Sequence, residues 1–246
     1  MKADPSRQWR LLDLVDLDTR AAQLKHRRTV SPEAKALTEL EARAGLLDND
    51  LVRARTAAGD IQREVDRAEN DVQLVRDRLS RNQSRLESGT GSAKDLQALQ
   101  HENASLERRQ SALEDVELEV MERAEAAAAE VTRLEAERSE LGDQIGAATA
   151  ERDRVFGEID LEEQAIAGRR PDVVAGVGAD LVALYDKIAA QVGGAGAAAL
   201  KARRCEGCHM ELNQVDLAAI RSATEDDVVR CEECRRILVR TAESGL

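Results

Sequence analysis

Apolar residues recur along the first part of the chain at alternating steps of three and four residues. The repeat occupies Leu37, Leu40, Ala44, Leu47, Leu51, Ala54, Ala58, Ile61, Val65, Ala68, Val72, Val75, Leu79, Asn82 and Leu86. Only Asn82 is polar, and a single polar residue on such a seam usually fixes the register of the helices. A period of 3.5 residues sustained over about seven heptads predicts a long helix in a left-handed coiled coil.

A shorter apolar repeat lies upstream and has a different phase. It consists of Leu14, Leu17, Ala21 and Leu24. Pro32 lies between the two repeats, where it suits the first turn of a new helix with Ser31 as the N-cap. We therefore expect a helix break near residues 30–32 and a short N-terminal helix that opens at Asp4-Pro5.

A glycine-containing turn ends the first long repeat. The turn has the sequence SGTGS at residues 88–92, and Gly89 and Gly91 permit the left-handed backbone that reverses a chain. Ser92 is expected to cap the next helix, with Asp95 close to the unpaired amides of its first turn. Two helices joined by a turn of about five residues must pack antiparallel.

The second long repeat is weaker than the first. It runs from Leu96 to Ile159 at the same spacing but includes polar positions such as Asn103, Gln110 and Glu117. One alternative is therefore a parallel pair of two chains, in which the SGTGS segment is only a flexible interruption. Because the second seam is partly polar, homodimerisation of the hairpin is a further alternative.

The pattern changes after the coiled coil. The coil is expected to end near Arg169-Arg170-Pro171, and a shorter amphipathic helix is expected at about residues 179–191. Gly193, Gly194 and Gly196 then mark a boundary. We predict a mainly α fold with a long antiparallel coiled-coil hairpin over residues 1–170, a connecting helix and Gly-rich linker over 171–195, and a small β-rich domain with a short helix over 196–246.

The composition favours a rod over a large globular core. Charged residues make up 34% of the chain and aromatic residues only 1%, whereas globular cores usually bury many aromatic rings. The net charge is −12, and most of the excess precedes residue 196. The helical part is therefore a poor surface for nucleic acid, which binds mainly through Lys and Arg.

Two features of the sequence indicate a cytoplasmic protein. No apolar stretch approaches the roughly 18 residues that a transmembrane helix needs, so we expect no membrane partner. The N-terminal sequence MKADPSRQWRLLDLVDLD lacks the apolar region of a signal peptide. Because cytoplasmic thiols stay reduced, paired cysteines are more often metal ligands than disulfides there.

All four cysteines lie in two CxxC pairs near the C-terminus. Cys205, Cys208, Cys231 and Cys234 have the spacing C-x2-C-x22-C-x2-C. Two such turns can supply four thiolates at the corners of a tetrahedron, which suits one structural Zn²⁺ and leaves no open position for water. A tetrathiolate iron site and a redox-active dithiol are the alternatives.

Short apolar segments flank the cysteine pairs and complete the predicted zinc ribbon. Strands are expected at residues 197–203, 228–230 and 237–239, with a small helix at 213–223. A bound metal would hold together a segment that is too short to bury a core of its own.

Six arginines surround the cysteine pairs. They are Arg203, Arg204, Arg230, Arg235, Arg236 and Arg240. One interpretation is a contact surface for nucleic acid or for an acidic protein. The other is that they offset the charge of four thiolates, which the interleaved carboxylates and the lack of an aromatic residue for base stacking favour. His209 is expected at the surface, because four thiolates already fill a tetrahedron.

The order of these features resembles the bacterial C4-type zinc-ribbon coiled-coil hairpin family over essentially the whole chain. The motifs that carry the resemblance are AKDLQALQHE at residues 93–102, DLVALYDKI at 180–188 and CEECRRIL at 231–238. Where that family usually has a glycine and a tyrosine in the second knuckle, this chain has Arg235 and Val239.

The resemblance implies that the four cysteines bind zinc and that the protein is a cytoplasmic adaptor or chaperone-like protein. Some relatives in that family are linked to flagellar or type III secretion and to an alternative sigma factor, and RNA binding has been proposed. Nothing in this sequence identifies such partners.

Our leading functional hypothesis is a non-enzymatic interaction protein that binds protein partners through its tip, residues 88–102, and its ribbon. The alternative is an RNA- or DNA-binding protein that uses the arginine-flanked ribbon. An enzyme is disfavoured because the sequence contains no GxxxxGK[ST] motif and no Ser/His/Asp set.

Overall fold

The chain folds into five helices and four short strands. The computed structural model describes residues 1–246. The elements in order are α1 (Pro5–Thr29), α2 (Pro32–Glu87), α3 (Ala93–Val177), α4 (Ala179–Val192), β1 (Ala197–Lys201), β2 (Arg204–Cys205), α5 (Gln214–Ser222), β3 (Val229–Arg230) and β4 (Ile237–Arg240). A long helical hairpin therefore precedes a small strand-rich region, which confirms the predicted fold class. None of the helices is both long and apolar enough to cross a bilayer.

Polar side chains cap the first two helices. The carboxylate of Asp4 accepts a hydrogen bond from the Ser6 amide at 2.8 Å, and Pro5 occupies the first turn of α1. At the next break, the hydroxyl of Ser31 accepts a bond from the Ala34 amide at 3.1 Å. Both caps satisfy amides that the first turn of a helix leaves unpaired.

Residues 36–149 form one of two compact units, an antiparallel pair made by α2 and α3. Ion pairs join the two helices, and the residue number on α3 falls as the number on α2 rises. They are Asp48–Arg138, Arg55–Glu135, Glu64–Arg123, Arg76–Glu114 and Arg78–Glu102. Asn82 is buried in the seam, as is Asn103.

The middle of this hairpin has the thinnest core. No residue between Leu51 and Val65 on α2, or between Val120 and Leu134 on α3, is buried. The seam positions there are Ala54, Ala58, Ile61, Ala124, Ala127 and Val131, and all of them are only half-buried. Four of these six residues are alanines, whose methyl side chains cover little of their neighbours, so this segment buries less apolar surface than the parts that flank it.

The connecting turn lies between Glu87 and Ala93. Gly89 and Gly91 have φ angles of 61° and 140°, which non-glycine residues rarely adopt. Ser92 and Asp95 then form a reciprocal capping box, because the Asp95 amide donates to the Ser92 hydroxyl at 3.3 Å while the Ser92 amide donates to the Asp95 carboxylate at 3.1 Å.

Helix α3 is longer than the sequence pattern indicates. The expected end near Pro171 is wrong, because the helix continues to Val177 with Pro171 inside it. Val173 and Val174 pack on the core of the base, and the backbone reverses only at Gly178, where φ is 89°. Packing therefore overrides the loss of the hydrogen bond that a proline cannot donate.

Residues 1–35 and 150–246 form the second compact unit, which we call the base. Its ion pairs show that α1 runs antiparallel to the end of α3. They are Arg28–Asp160, Arg20–Glu162 and Asp18–Arg170. The largest apolar cluster joins Leu11 and Leu14 of α1, Leu181 and Tyr185 of α4, and Ile237 of β4.

Candidate metal centre

The ribbon is a four-stranded sheet in the order β2-β1-β4-β3. Strands β1 and β4 are parallel, and each of them has an antiparallel partner at its outer edge. One face of the sheet contributes to the apolar cluster of the base. The other face forms a second cluster with α5, in which Leu200, Leu217 and Leu238 lie beside Cys205 and Cys231.

The two CxxC segments have the same backbone geometry. In the first, the His209 amide donates to Cys205 O at 2.7 Å and the Cys205 amide donates to Met210 O at 3.0 Å. In the second, the Arg235 amide donates to Cys231 O at 2.9 Å and the Cys231 amide donates to Arg236 O at 3.0 Å. Each segment is thus a closed knuckle that points both of its thiols to one side.

Each knuckle places the residue after its second cysteine in the left-handed region. The φ angle is 59° at His209 and 64° at Arg235. A side chain at such a position costs roughly 1–2 kcal/mol relative to the ordinary conformation, whereas glycine is tolerated freely. This explains physically why a glycine suits the position that Arg235 occupies here.

The four sulfur atoms lie within 4.8 Å of one another. Two of the distances, Cys205 to Cys234 and Cys208 to Cys231, are 3.8 Å. A tetrahedron with Zn–S distances of about 2.3 Å has edges of about 3.8 Å. The donor set and its geometry therefore fit one tetrathiolate zinc ion, which is the cofactor expected from the sequence.

The surroundings of the cysteine thiols shift their pKa values in different directions. Burial raises the pKa of Cys205 to about 12, and it also raises the pKa of Cys231. Burial acts in the same direction on Cys234, but hydrogen bonds from the backbone and side chain of Arg236 and from Cys208 and Cys231 lower its pKa to about 7. Because zinc binds thiolates, the bound metal must displace these protons.

Two of the six ribbon arginines hold the backbone together. Arg236 donates to Ala195 O at 2.9 Å and to Gly207 O at 3.1 Å. Arg240 donates at 2.8 Å to the carbonyl oxygens of Thr224, Glu225 and Asp227. Their guanidinium groups are therefore engaged in fixing the loops around the knuckles.

The other four arginines lie at the surface. Arg203, Arg204, Arg230 and Arg235 are exposed, and so is His209. Arg235 pairs with Glu232 at 2.9 Å, and Arg203 donates to Gly245 O at 3.1 Å. A carboxylate and a carbonyl thus accompany two of these four cations.

Sequence reasoning missed a polar cluster inside the base. The Tyr185 hydroxyl donates to Asp18 at 3.0 Å, and Arg170 donates to the other oxygen of the same carboxylate at 2.9 Å. Burial first, and then the charge of Asp18, raises the pKa of Tyr185. These residues come from three helices, and Asp18 lies 152 residues before Arg170 and 167 before Tyr185, so no local pattern could have linked them.

A second missed feature joins the N-terminus to the ribbon. Lys2 bridges to Asp227 in antiparallel fashion, and the Ala3 amide donates to Asp226 O at 2.8 Å. The Val228 amide donates to Met1 O at 3.1 Å. The first three residues therefore extend the strand-rich region at the segment that leads into β3.

Comparison with known proteins gives matches along nearly the whole chain. An uncharacterized protein of Mycobacterium tuberculosis is 38% identical over 240 residues, which is 98% of this chain and 98% of that protein. A solved structure from Mycobacterium smegmatis is 37% identical with a TM-score of 0.89, and the match covers 98% of this chain and 100% of the other. The structure of CT398 from Chlamydia trachomatis is 16% identical with a TM-score of 0.68 over 96% of this chain and 98% of that chain, which shows a shared fold.

Two family descriptions match consecutive parts of the sequence. Residues 204–238 match the C4-type zinc ribbon domain. Residues 14–193 match the CT398-like coiled coil hairpin domain. The chain therefore belongs to the family of CT398-like coiled-coil hairpin proteins that carry a C-terminal C4-type zinc ribbon.

Proposed function

We propose that this protein is a non-enzymatic, cytoplasmic adaptor or chaperone-like protein that binds protein partners through its tip and its zinc ribbon. The observation that carries the proposal is the closed metal site. Four thiols with tetrahedral spacing supply every ligand that zinc needs, which is typical of a structural site rather than a catalytic one.

The helical hairpin supports the same proposal. Its helices are 56 and 85 residues long, and most of their charged side chains are exposed or form ion pairs at the surface. Helices of this length offer extended surfaces on which a protein partner can pack. The tip is exposed throughout residues 88–95, so it is available to a partner.

The proposal is tested by recovering partners from native lysate with the full-length protein tagged at its C-terminus. A ribbon variant, Cys208→Ser, and a tip variant, Lys94→Glu with Gln97→Glu, are compared with the unmodified protein. We expect at least one protein to survive nuclease treatment and to be lost from one of the two variants.

A matched control keeps the same change of charge on the hairpin shaft. Arg67→Glu with Gln73→Glu alters two exposed positions on α2 and should retain every partner. Retention of all partners by the ribbon and tip variants would contradict the proposal.

The second candidate is RNA or DNA binding by the ribbon, and the exposure of Arg203, Arg204, Arg230 and Arg235 is what favours it. It predicts an affinity for oligonucleotides that falls steeply as salt rises. Changing these four residues to Ala leaves the loop contacts of Arg236 and Arg240 in place. Unchanged binding by that variant would rule out this surface.

A further inference from the structure

A groove of about 920 Å³ lies inside the base, between α1 and the sheet of the ribbon. Its α1 wall carries Leu12, Val15, Asp16 and Thr19. These residues flank the fully buried face of α1, and Leu12 and Val15 are only half-buried. The helix therefore presents a second, partly uncovered apolar strip beside its core-facing side.

Small residues form the opposite wall of the groove. Ala195, Ala197 and Ala199 line it together with Gly194 and Gly207. The backbone at Gly196 packs closely against α4, since a methyl group added to Gly196 would lie 2.1 Å from Tyr185 O. The short side chains leave a volume similar to that of many ligand-binding clefts, about 300–1,000 Å³.

The groove has an excess of carboxylates. Asp16, Asp18, Glu206 and Glu243 line it, against the two cations Lys201 and Arg236. Asp18 and Glu243 already have partners, because Arg170 donates to Asp18 at 2.9 Å and Lys201 lies 2.9 Å from Glu243.

Arg236, the other cation of the groove, donates hydrogen bonds to two backbone carbonyls. Asp16 and Glu206 are exposed. The charge of Glu206 acts on Lys201, but Glu243 is the closer partner of that lysine. The charge that the groove offers to a ligand is therefore negative.

An exposed aromatic side chain extends the strip on α1. Trp9 lies one helical turn before Leu12, just outside the lining of the groove, and is 57% exposed. Its indole N–H donates to Arg240 O at 2.8 Å, which fixes the ring against the end of β4. An oriented indole face attracts the cations of a partner, and tryptophan is enriched among the residues that dominate binding energies.

We propose that this groove binds a cationic amphipathic segment of a protein partner. Its apolar side chains pack between Val15 and Ala199, and its Lys or Arg side chains meet Asp16, Glu206 and the ring of Trp9. From Leu12 to Ala22 the α1 wall of the groove is about 15 Å long, which accommodates a short peptide segment. Nucleic acid does not fit, because its phosphates would face carboxylates.

This assignment rests on the proposed adaptor function and names the partner class for one face of the ribbon. Binding is measured by fluorescence anisotropy with the full-length, zinc-loaded protein. The probe is a labelled peptide that repeats Lys-Leu-Ala, and its counterpart repeats Glu-Leu-Ala. We expect the lysine peptide to bind at least tenfold more tightly than the glutamate peptide.

Two variants separate the groove from the overall negative charge of the protein. Ala199→Leu fills the groove without changing charge and should weaken the lysine peptide about tenfold. Asp16→Lys with Glu206→Lys should weaken it at least as much. The matched control, Glu119→Lys with Asp143→Lys, makes the same charge change on the exposed hairpin shaft and should weaken it less than threefold.

An equal loss in the shaft control, or full binding by Ala199→Leu with an unchanged circular dichroism spectrum and zinc content, would overturn the groove assignment. Either result is distinct from a failure of the adaptor proposal, which is measured by partners lost from the tip and ribbon variants. A protein that keeps those partners but shows no groove binding refutes only the present inference.

Discussion

Arg235 illustrates how a single position can bear a local cost inside a metal knuckle. Its φ of 64° suits glycine, and its exposed ion pair with Glu232 contributes little because water screens it. We expect Arg235→Gly to raise the free energy of unfolding of the zinc-bound ribbon by about 1 kcal/mol, measured by denaturant titration.

The matched control for that change is Arg230→Gly, which removes the same side chain from the exposed end of β3. Glycine weakens a strand by roughly 0.5–1 kcal/mol, so this variant should be less stable than the unmodified protein. The account of the knuckle would fail if Arg235→Gly were the less stable of the two.

A second pair of substitutions distinguishes a zinc ligand from the residue next to it. Cys208→Ser removes one of four thiolates and should reduce the bound zinc, measured by elemental analysis, far below one ion per chain. His209→Ala changes the adjacent exposed residue and should retain a full ion. Zinc lost equally from both variants would implicate the histidine as a ligand.

Proton competition sets the pH dependence of the same site. Burial raises the pKa of Cys205 to about 12, so its thiolate forms only when zinc replaces the proton. Zinc affinity should therefore fall as the pH decreases from 8 to about 6. Competition with a chelator of known affinity measures this trend, and a flat profile would contradict it.

At the scale of single elements, the capping box sets the start of α3. The hydroxyl and amide of Ser92 both donate to Asp95, and these bonds lower the pKa of that carboxyl. The contribution is present above the unfolded pKa and is lost as the pH falls through the folded value. Ser92→Ala should increase hydrogen exchange of the first-turn amides severalfold, since a cap is worth about 1 kcal/mol.

Lys94→Ala is the matched change inside the same turn, because its side chain is exposed and lies outside the box. Exchange at residues 93–96 should stay near the unmodified rate in that variant. Equal effects from both substitutions would mean that the box does not hold the helix start.

The alanine-rich middle of the hairpin is the segment where a substitution can most readily increase thermal stability. Ala58→Leu adds apolar surface at a half-buried seam position and should raise the melting temperature of the hairpin by a few degrees. Ala57→Leu, one residue away and exposed, should change it little. Calorimetry distinguishes the two, and a larger gain from Ala57→Leu would place the seam elsewhere.

The elements differ in how far sequence alone specifies them. The apolar repeat of α2 and the CxxC spacing are local patterns, so they were sufficient to predict the hairpin and the zinc site. The end of α3 was predicted wrongly, because Val173 and Val174 pack on residues that are distant in the chain. The cluster of Asp18, Arg170 and Tyr185 could not be predicted for the same reason.

At the scale of the whole molecule, zinc should matter to the base and not to the hairpin of residues 36–149. The only helix between the cysteine pairs is α5, of 9 residues, so chelation should leave most of the helical circular dichroism. Amides of α1 should lose protection, because Leu11 and Leu14 pack against Ile237 and Val239 of the ribbon.

Hydrogen exchange with and without a zinc chelator tests this expectation, and added zinc should restore the protection. Amides near Val65 and Val72 of α2 are the internal reference, since these residues lie in the separate unit. A uniform loss of protection in both units would show that the metal stabilises the whole chain.

The pairing of Met1, Lys2 and Ala3 with residues 226–228 has a consequence for synthesis on the ribosome. Residues 1–3 acquire their strand partner only when residues 226–228 have been synthesised. Until then the apolar face of α1 lacks its cover, which is the kind of exposed surface that chaperones and proteases recognise. Closure of the base thus marks a chain whose ribbon has been synthesised, and products that terminate before the ribbon would be sorted from such chains by the face they leave bare.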